Sequence, residues 1–177
     1  MQDQVILVDR FDNPLGMGDK LLTHVQGRLH RALSVLIYNS DGEMLLQRRS
    51  FEKYHSAGLW TNACCSHPMQ GEKPEEAAKR RLMEEMGLSC ELYLADKFIY
   101  YSDLDDGLAE HELDYVYVGY TDDKPVPNSL EVAATRYISL DDLAIELNKH
   151  PRHFTSWFHI MCEKGIIKFV DDELKVL

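Results

Sequence analysis

Apolar positions fall in short blocks separated by turn residues, and the period changes from block to block. The run Gln4–Asp9 is apolar through its middle and is followed by Asp12-Asn13-Pro14, so a first strand ending in a turn is expected there. Ala32–Tyr38 is apolar apart from Ser34, the pattern of a strand covered on both faces. Asn39-Ser40-Asp41-Gly42 and a second run, Glu43–Gln47, come next, and Asp-Gly between two such runs predicts a hairpin. Between Pro74 and Gly87 the period lengthens. Ala78, Leu82 and Met86 recur at every fourth position, which predicts a helix with proline in its first turn and glycine just past its end. Arg81 and Glu85, also four apart, share a neighbouring stripe. Strands are expected over Leu92–Tyr101 and Ala109–Tyr120, joined by Asp103-Leu104-Asp105-Asp106-Gly107, and over Ala134–Ile138. Helices are expected over Asp141–Asn148, capped by Ser139 with Asp142 three residues on, and over Phe154–Lys164, stopped by Gly165. Strands outnumber helices and mix with them along the chain. The expected class is α+β, a mixed sheet with helices packed around it, in one domain over residues 1–177.

Composition narrows the functional classes. The chain has 177 residues, 45% of them hydrophobic and 28% charged, which suits a globular domain able to bury its own core. No apolar run approaches the roughly 18 residues of a membrane span. The first ten residues lack a basic stretch followed by a long apolar one, and Lys175-Val176-Leu177 gives no readable targeting tail. A soluble cytoplasmic enzyme is expected, with no membrane partner. Nineteen basic against 30 acidic residues give a net charge of −11, the wrong sign for a duplex-binding surface, so no nucleic-acid partner is expected. A small anionic ligand is compatible, because arginines crowd the first half: Arg28, Arg31, Arg48, Arg49, Arg80 and Arg81. The four cysteines, Cys64, Cys65, Cys90 and Cys162, include an adjacent pair and make no disulfide framework. Reduced thiols are expected, and one of them is available for chemistry.

Three groups of residues can carry that chemistry. In a strand, Glu110 and Glu112 project to one face and His111 to the other, so the carboxylates either share a cation or make a solvated strand face. His24, His30 and His67 are candidate ligands, each of which read alone is as well explained by ordinary burial. Taken with the two glutamates they would make an N₃O₂ set suited to a divalent transition metal. His55, His111, His150, His153 and His159 are expected to have no such role. The stretch Trp60-Thr61-Asn62-Ala63-Cys64-Cys65-Ser66-His67-Pro68 packs two thiols and a histidine together. Alternation puts Cys64 and Cys65 on opposite faces, and Cys65 shares its parity with His67, which favours Cys65 as the thiol in a site.

The run Arg80-Arg81-Leu82-Met83-Glu84-Glu85-Met86-Gly87-Leu88, with Glu72 before it, resembles the Nudix box. Two positions depart from that pattern: Ser66 stands at the opening glycine, and Arg81 at the glutamate that follows the arginine. A cation at residue 81 repels a metal ion and can instead hold a diphosphate, so the chain looks built to bind a diphosphate without hydrolysing it. A Nudix pyrophosphohydrolase is the alternative, and a silent metal-binding module a third.

Several motifs in order resemble type I isopentenyl-diphosphate isomerases, a family on the Nudix fold. They are Lys20…His24…Arg28-Leu29-His30, Leu45-Leu46-Gln47-Arg48-Arg49, Trp60-Thr61-Asn62, Cys65-Ser66-His67-Pro68, Arg80-Arg81…Glu84-Glu85…Gly87, Glu110-His111-Glu112 and Trp157. The resemblance covers about residues 4–165 and implies a Nudix-like α/β/α sandwich. By position it implies His24, His30, His67, Glu110 and Glu112 as metal ligands holding Mn²⁺, Zn²⁺ or Mg²⁺. It implies Cys65 and Glu112 as the acid–base pair, Tyr100 near the reacting centre, and Trp157 facing a developing cation. Glu85 would bind a Mg²⁺ that travels with the substrate, and Lys20, Arg49, Lys53 and Arg81 would contact the diphosphate. The implied partner is a small prenyl diphosphate, and the implied state a monomer or weak dimer. The implied reaction shifts a double bond, adding one proton and removing another through a carbocation-like intermediate in a dry site. Ser66, where some members have glycine, and Cys64 beside the acting position are this chain's departures.

Overall fold

The structure, a computed structural model, describes residues 4–168; Lys175-Val176-Leu177 lie outside them. The chain runs β1 (Gln4–Val8), β2 (Pro14–Asp19), α1 (Lys20–Val25), β3 (His30–Tyr38), β4 (Met44–Arg49), β5 (Trp60–Asn62), β6 (Cys64–Ser66) and α2 (Pro74–Met86). It continues through β7 (Leu92–Asp103), β8 (Ala109–Tyr120), β9 (Val132–Ile138), α3 (Leu140–Lys149) and α4 (Ser156–Glu163). The expected α+β mixed sheet is what forms.

β3 is the axis. It pairs in parallel with β8 from His30↔Glu112 to Tyr38↔Tyr120, and β8 pairs antiparallel with β7. The other edge of β3 is shared: β1 meets it at His30, β6 at Leu33–Val35, and β4 only at Tyr38↔Met44. The hairpin expected at Asp41-Gly42 is therefore closed at its base only. β4 turns away because β8 and β6 already occupy both edges of β3, and it pairs instead with β5 and β9.

Alternation along these strands separates two cores. Leu33, Val35 and Ile37 of β3 pack with Cys64 and Tyr117 against Ala77, Ala78, Leu82 and Met86 of α2. Leu36 of β3 and Val116 of β8 pack on the opposite side with Leu143 of α3 and Trp157, Phe158 and Met161 of α4. Helices thus cover both faces of the sheet. The sequence limits of α2 hold: Pro74 opens it, and Gly87 ends it at φ 64°, a left-handed value glycine accepts without strain. Ser139 Oγ accepts the Asp142 N–H at 3.1 Å, as expected of the cap of α3. The last helix begins two residues later than expected. Phe154 instead bridges in parallel to Trp60, which holds the start of α4 against β5.

Candidate active site and metal centre

The face of the sheet that feeds the second core is apolar at one end and polar at the other. Along β8 the inward positions run Glu110, Glu112, Asp114, Val116, so one strand passes from site to core without changing face. Register sets His30, Glu112 and Tyr100 side by side across three strands. α1, six residues long, carries His24 on its buried side, and β6 delivers Cys65 and then His67.

These residues converge. Glu112 Oε1 lies 3.0 Å from His67 Nε2 and 3.3 Å from His30 Nε2, while Glu112 Oε2 accepts the Tyr100 hydroxyl at 2.6 Å. Glu110 Oε2 lies 3.3 Å from His24 Nε2. The other ring nitrogens of His24 and His30 face backbone carbonyls, Nδ1 to Lys20 O at 2.6 Å and Nδ1 to Arg28 O at 2.9 Å. Each carbonyl takes an Nδ1–H, so each Nε2 keeps its lone pair and turns it inward. Nε2 of His24, Nε2 of His30 and Oε2 of Glu110 are buried with no hydrogen-bond partner. Burying such atoms unpaired is costly, and a cation resolves all of them at once. Ligand atoms of His24, His30, His67 and Glu112 lie within 4.8 Å of one another. The donor set fits a divalent metal ion. His111 faces the other way, with Nδ1 on Gly27 O at 2.8 Å, as alternation requires.

Burial sets the protonation of the group. It pushes His67 down to about 3, against the pull of Glu112, and His55 down to about 3, with help from Arg49. Glu110 is raised well above the usual carboxylate range by burial and by Glu112 beside it. Burial acts on Glu112 in the same sense, but the His30 and His67 rings set against its Oε1 outweigh it and hold this carboxyl well below that range. His67 and His55 thus stand as neutral imidazoles beside one carboxylate.

Cys65 and Cys64 separate as parity predicts. Cys64 is fully buried in the core beneath α2. The Cys65 thiol donates to Asn62 Oδ1 at 3.0 Å and accepts the Trp157 indole N–H at 3.1 Å. Asn62 is fixed in turn by donating to Val35 O (3.1 Å) and Cys64 O (2.8 Å). Burial pushes the Cys65 thiol up to about 12, with Asp114 adding to the effect. Ser34 donates to Asp114 at 2.8 Å and stands 3.8 Å from the sulfur.

Cys65, His67, Tyr100, Glu110, Glu112 and Trp157 line one cavity of about 420 Å³, together with Lys20, Arg49, Lys53 and Arg81. Arg49 lies 5.1 Å from the Trp157 ring and donates to the carbonyls of His55 and Ser56, each at 3.2 Å. Arg81 is held by Glu85 at 2.7 Å and Glu84 at 2.8 Å, with Glu131 at 3.5 Å; Glu131 also pairs with Lys53. Glu85 is apart from the histidines. Its Oε1 accepts from Arg81 and its Oε2 accepts from Gln47 at 3.1 Å, so both oxygens are already engaged in this arrangement.

His55, given no role from the sequence, lies in the cluster with its Nε2 3.4 Å from Glu110 Oε1. The chain turns back after it through Ser56 at φ 50° and Gly58 at φ 72°, and no periodic pattern announces such a loop. Gln47 and Glu131, which complete the Arg81–Glu85 network, also escape a reading of the sequence. Alternation along β4 could have found Gln47, since Leu45 and Gln47 share a face, but nothing local marks Glu131.

The fold and this site define a NUDIX-type domain, and residues 28–158 match the NUDIX domain family. In fold, the crystal structure of DR0079 from Deinococcus radiodurans superposes with a TM-score of 0.74 at 18% identity, covering 91% of this chain and 98% of that one. Within the family, the chain is 50% identical over 157 residues to the isopentenyl-diphosphate Delta-isomerase of Pectobacterium atrosepticum, covering 89% of this chain and 88% of its relative. It is 45% identical over 166 residues to isopentenyl-diphosphate Delta-isomerase 2 of Aromatoleum aromaticum, covering 94% and 88%. The chain belongs to the isopentenyl-diphosphate Delta-isomerase family.

Proposed function

We propose that this protein interconverts isopentenyl and dimethylallyl diphosphate, a step of isoprenoid biosynthesis, by moving protons between Cys65, Glu112 and the substrate. The observation that carries this reading is that the sulfur-bearing residue and the carboxylate line the same cavity, with cationic side chains on its wall. The two diphosphates differ only in where the double bond lies. One group must add a proton to the terminal alkene carbon, and another must remove one from the carbon on the far side of the resulting tertiary cation. The protein ends with its proton moved from one group to the other, and no co-reactant is consumed.

Each neighbour has a part in this scheme. Asn62 and Trp157 fix the thiol between an acceptor and a donor. Tyr100 holds one oxygen of Glu112 while the other faces the histidines. The Trp157 π system stabilises a desolvated cation by roughly 0.5–2 kcal/mol. The buried walls keep out water, which would trap the cation as an alcohol. Lys20, Arg49, Lys53 and Arg81 hold the diphosphate. Arg81 and Lys53 are paired with Glu85 and Glu131, so phosphate oxygens replace carboxylate oxygens as the substrate seats. His24, His30, His67, Glu110 and Glu112 would hold a divalent ion, whose fixed positive charge would orient Glu112 and tune its basicity. Mn²⁺, Zn²⁺ and Mg²⁺ are the ions proposed there. A Mg²⁺ entering with the diphosphate is assigned to Glu85, conditional on Arg81 releasing that carboxylate. We place the reaction in the cytoplasm, with the chain as a monomer or weak dimer. Four free cysteines suit a reducing compartment, and among the described residues no helix is long and apolar enough to cross a membrane.

The test is incubation with isopentenyl diphosphate in deuterated water with Mg²⁺ and Mn²⁺. Dimethylallyl diphosphate carrying deuterium is the expected product. Release of phosphate or pyrophosphate without a shifted alkene would instead make the protein a hydrolase.

A further inference from the structure

Residues 50–59 form a loop over the cavity, and it carries a histidine that the isomerase resemblance leaves without a part. The His55 side chain is only 8% exposed. Its Nδ1 lies 3.4 Å from its neighbour Ser56 Oγ, and its Nε2 points inward to Glu110 Oε1, also at 3.4 Å. The ring stacks on His24, with centroids 5.7 Å apart and planes at 28°, and meets Trp157 edge-on at 6.0 Å. A nitrogen of His24, a nitrogen of His55 and an oxygen of Glu110 lie within 4.8 Å of one another, and His24 is also a member of the cluster around Glu112. Donors bonded to one ion at ~2.1 Å lie up to roughly 4.2 Å apart across it, so this trio needs only a small contraction to share an ion. The loop is also pinned from outside. Arg49 donates to the carbonyls of His55 and Ser56, and Gly58 N–H returns to Arg49 O at 3.2 Å.

We propose that His55 is a further donor to the metal centre, a fourth imidazole entering on the Glu110 side. The inference rests on the reading of His24 and Glu110 as ligands. It has two consequences. A set of four imidazoles and two carboxylates prefers a transition-metal ion to Mg²⁺, which favours oxygen donors. The loop that bears Lys53 is also tied to the metal, so an ion in place holds part of the diphosphate wall.

The experiment uses the full-length metal-free protein and Co²⁺ alone, with no diphosphate present. Co²⁺ is titrated against a competing chelator while its visible absorption bands are recorded for the unmutated protein, His55→Phe and His55→Ala. His55→Phe keeps an aromatic ring against His24 and Trp157 while removing the donor. The expected result is at least about tenfold weaker Co²⁺ binding in both variants, with displaced bands. Affinity and bands equal to those of the unmutated protein in His55→Phe would overturn the proposal. Pulsed electron paramagnetic resonance of the unmutated Mn²⁺ protein needs no variant at all: four coupled imidazoles support the proposal and three overturn it. Because no substrate enters either measurement, a failure of isomerisation in the deuterium experiment leaves this result standing, and an unchanged metal spectrum leaves the isomerase reading standing.

Discussion

At the histidine end of the cavity, buried donors outnumber their protein partners: two ring nitrogens and a carboxylate oxygen have none. At the Arg81 end the acids are all engaged, Glu85 by Arg81 and Gln47, and Glu131 by Lys53 and Arg81. The first end is held in shape by carbonyls behind the rings and is ready for an ion before one arrives. At the second the carboxylates are all paired, although Arg81 Nε is itself buried without a partner, and under the proposed function those pairs would exchange to take a diphosphate. Preorganisation suits the end next to the groups proposed to transfer protons, where small displacements cost rate. Exchange suits the end proposed to bind and release the diphosphate.

The largest effect expected is at the proton-transfer pair. Cys65→Ala or Glu112→Gln should lower the isomerisation rate by roughly 10²–10⁴-fold while circular dichroism still shows a folded protein. Full activity in either variant would remove the basis for placing the chemistry at the preorganised end. The next effect separates the two ends through stability. Arg81→Ala leaves Glu85, with its side chain 5% exposed, without its cation. Unfolding by urea should show a loss of about 3 kcal/mol, together with a raised KM for the diphosphate. A variant as stable as the parent would mean that the Arg81 end is not closed by its own ion pairs. The smallest effect is a surface reference for the other two. Arg136 donates to both Glu146 oxygens, at 2.9 and 2.6 Å, and lowers the Glu146 carboxyl below its ordinary 4.5. A depressed carboxylate contributes stability above its unfolded pKa and loses it as pH falls through the folded value. Both partners are about one-third exposed, so solvent screening limits the contribution to roughly 0.5 kcal/mol. The melting temperature of Glu146→Gln should fall slightly below the parent's at pH 7, and the difference should shrink as the pH drops below the ordinary carboxylate range. A gap that widens toward acid pH would reverse the sign assigned here.

The elements legible in the sequence are those with enough length to show a period. α2 announces itself by Pro74, Gly87 and the stripe Ala78-Leu82-Met86, and β8 by the alternation through Glu110, His111 and Glu112. β2 is not legible, because PLGMGD holds two glycines and little strand propensity; it is a strand because β1 pairs along its length. α1 has six residues, too few for a helical period, and β5 and β6 have three each. The hairpin signal at Asp41-Gly42 is right about the turn and silent about which strand claims the edge of β3. The order and spacing of the motifs single out most of the site residues but carry no information on how they meet. The register of β3, β8 and β7, which sets His30, Glu112 and Tyr100 abreast, supplies that. His55 escapes because a lone histidine on an irregular loop carries no spacing to read.

The parallel pairing of β3 with β8 sets His30 directly beside Glu112, although a long stretch of chain separates them. Contacts so distant in sequence form late, after the entropy of closing a long loop has been met. A nascent chain therefore holds its histidines and glutamates scattered, with little hold on an ion. Metal uptake becomes a report that the central strands have zipped together, and an ion that stabilises the finished protein should slow its unraveling without hastening its assembly.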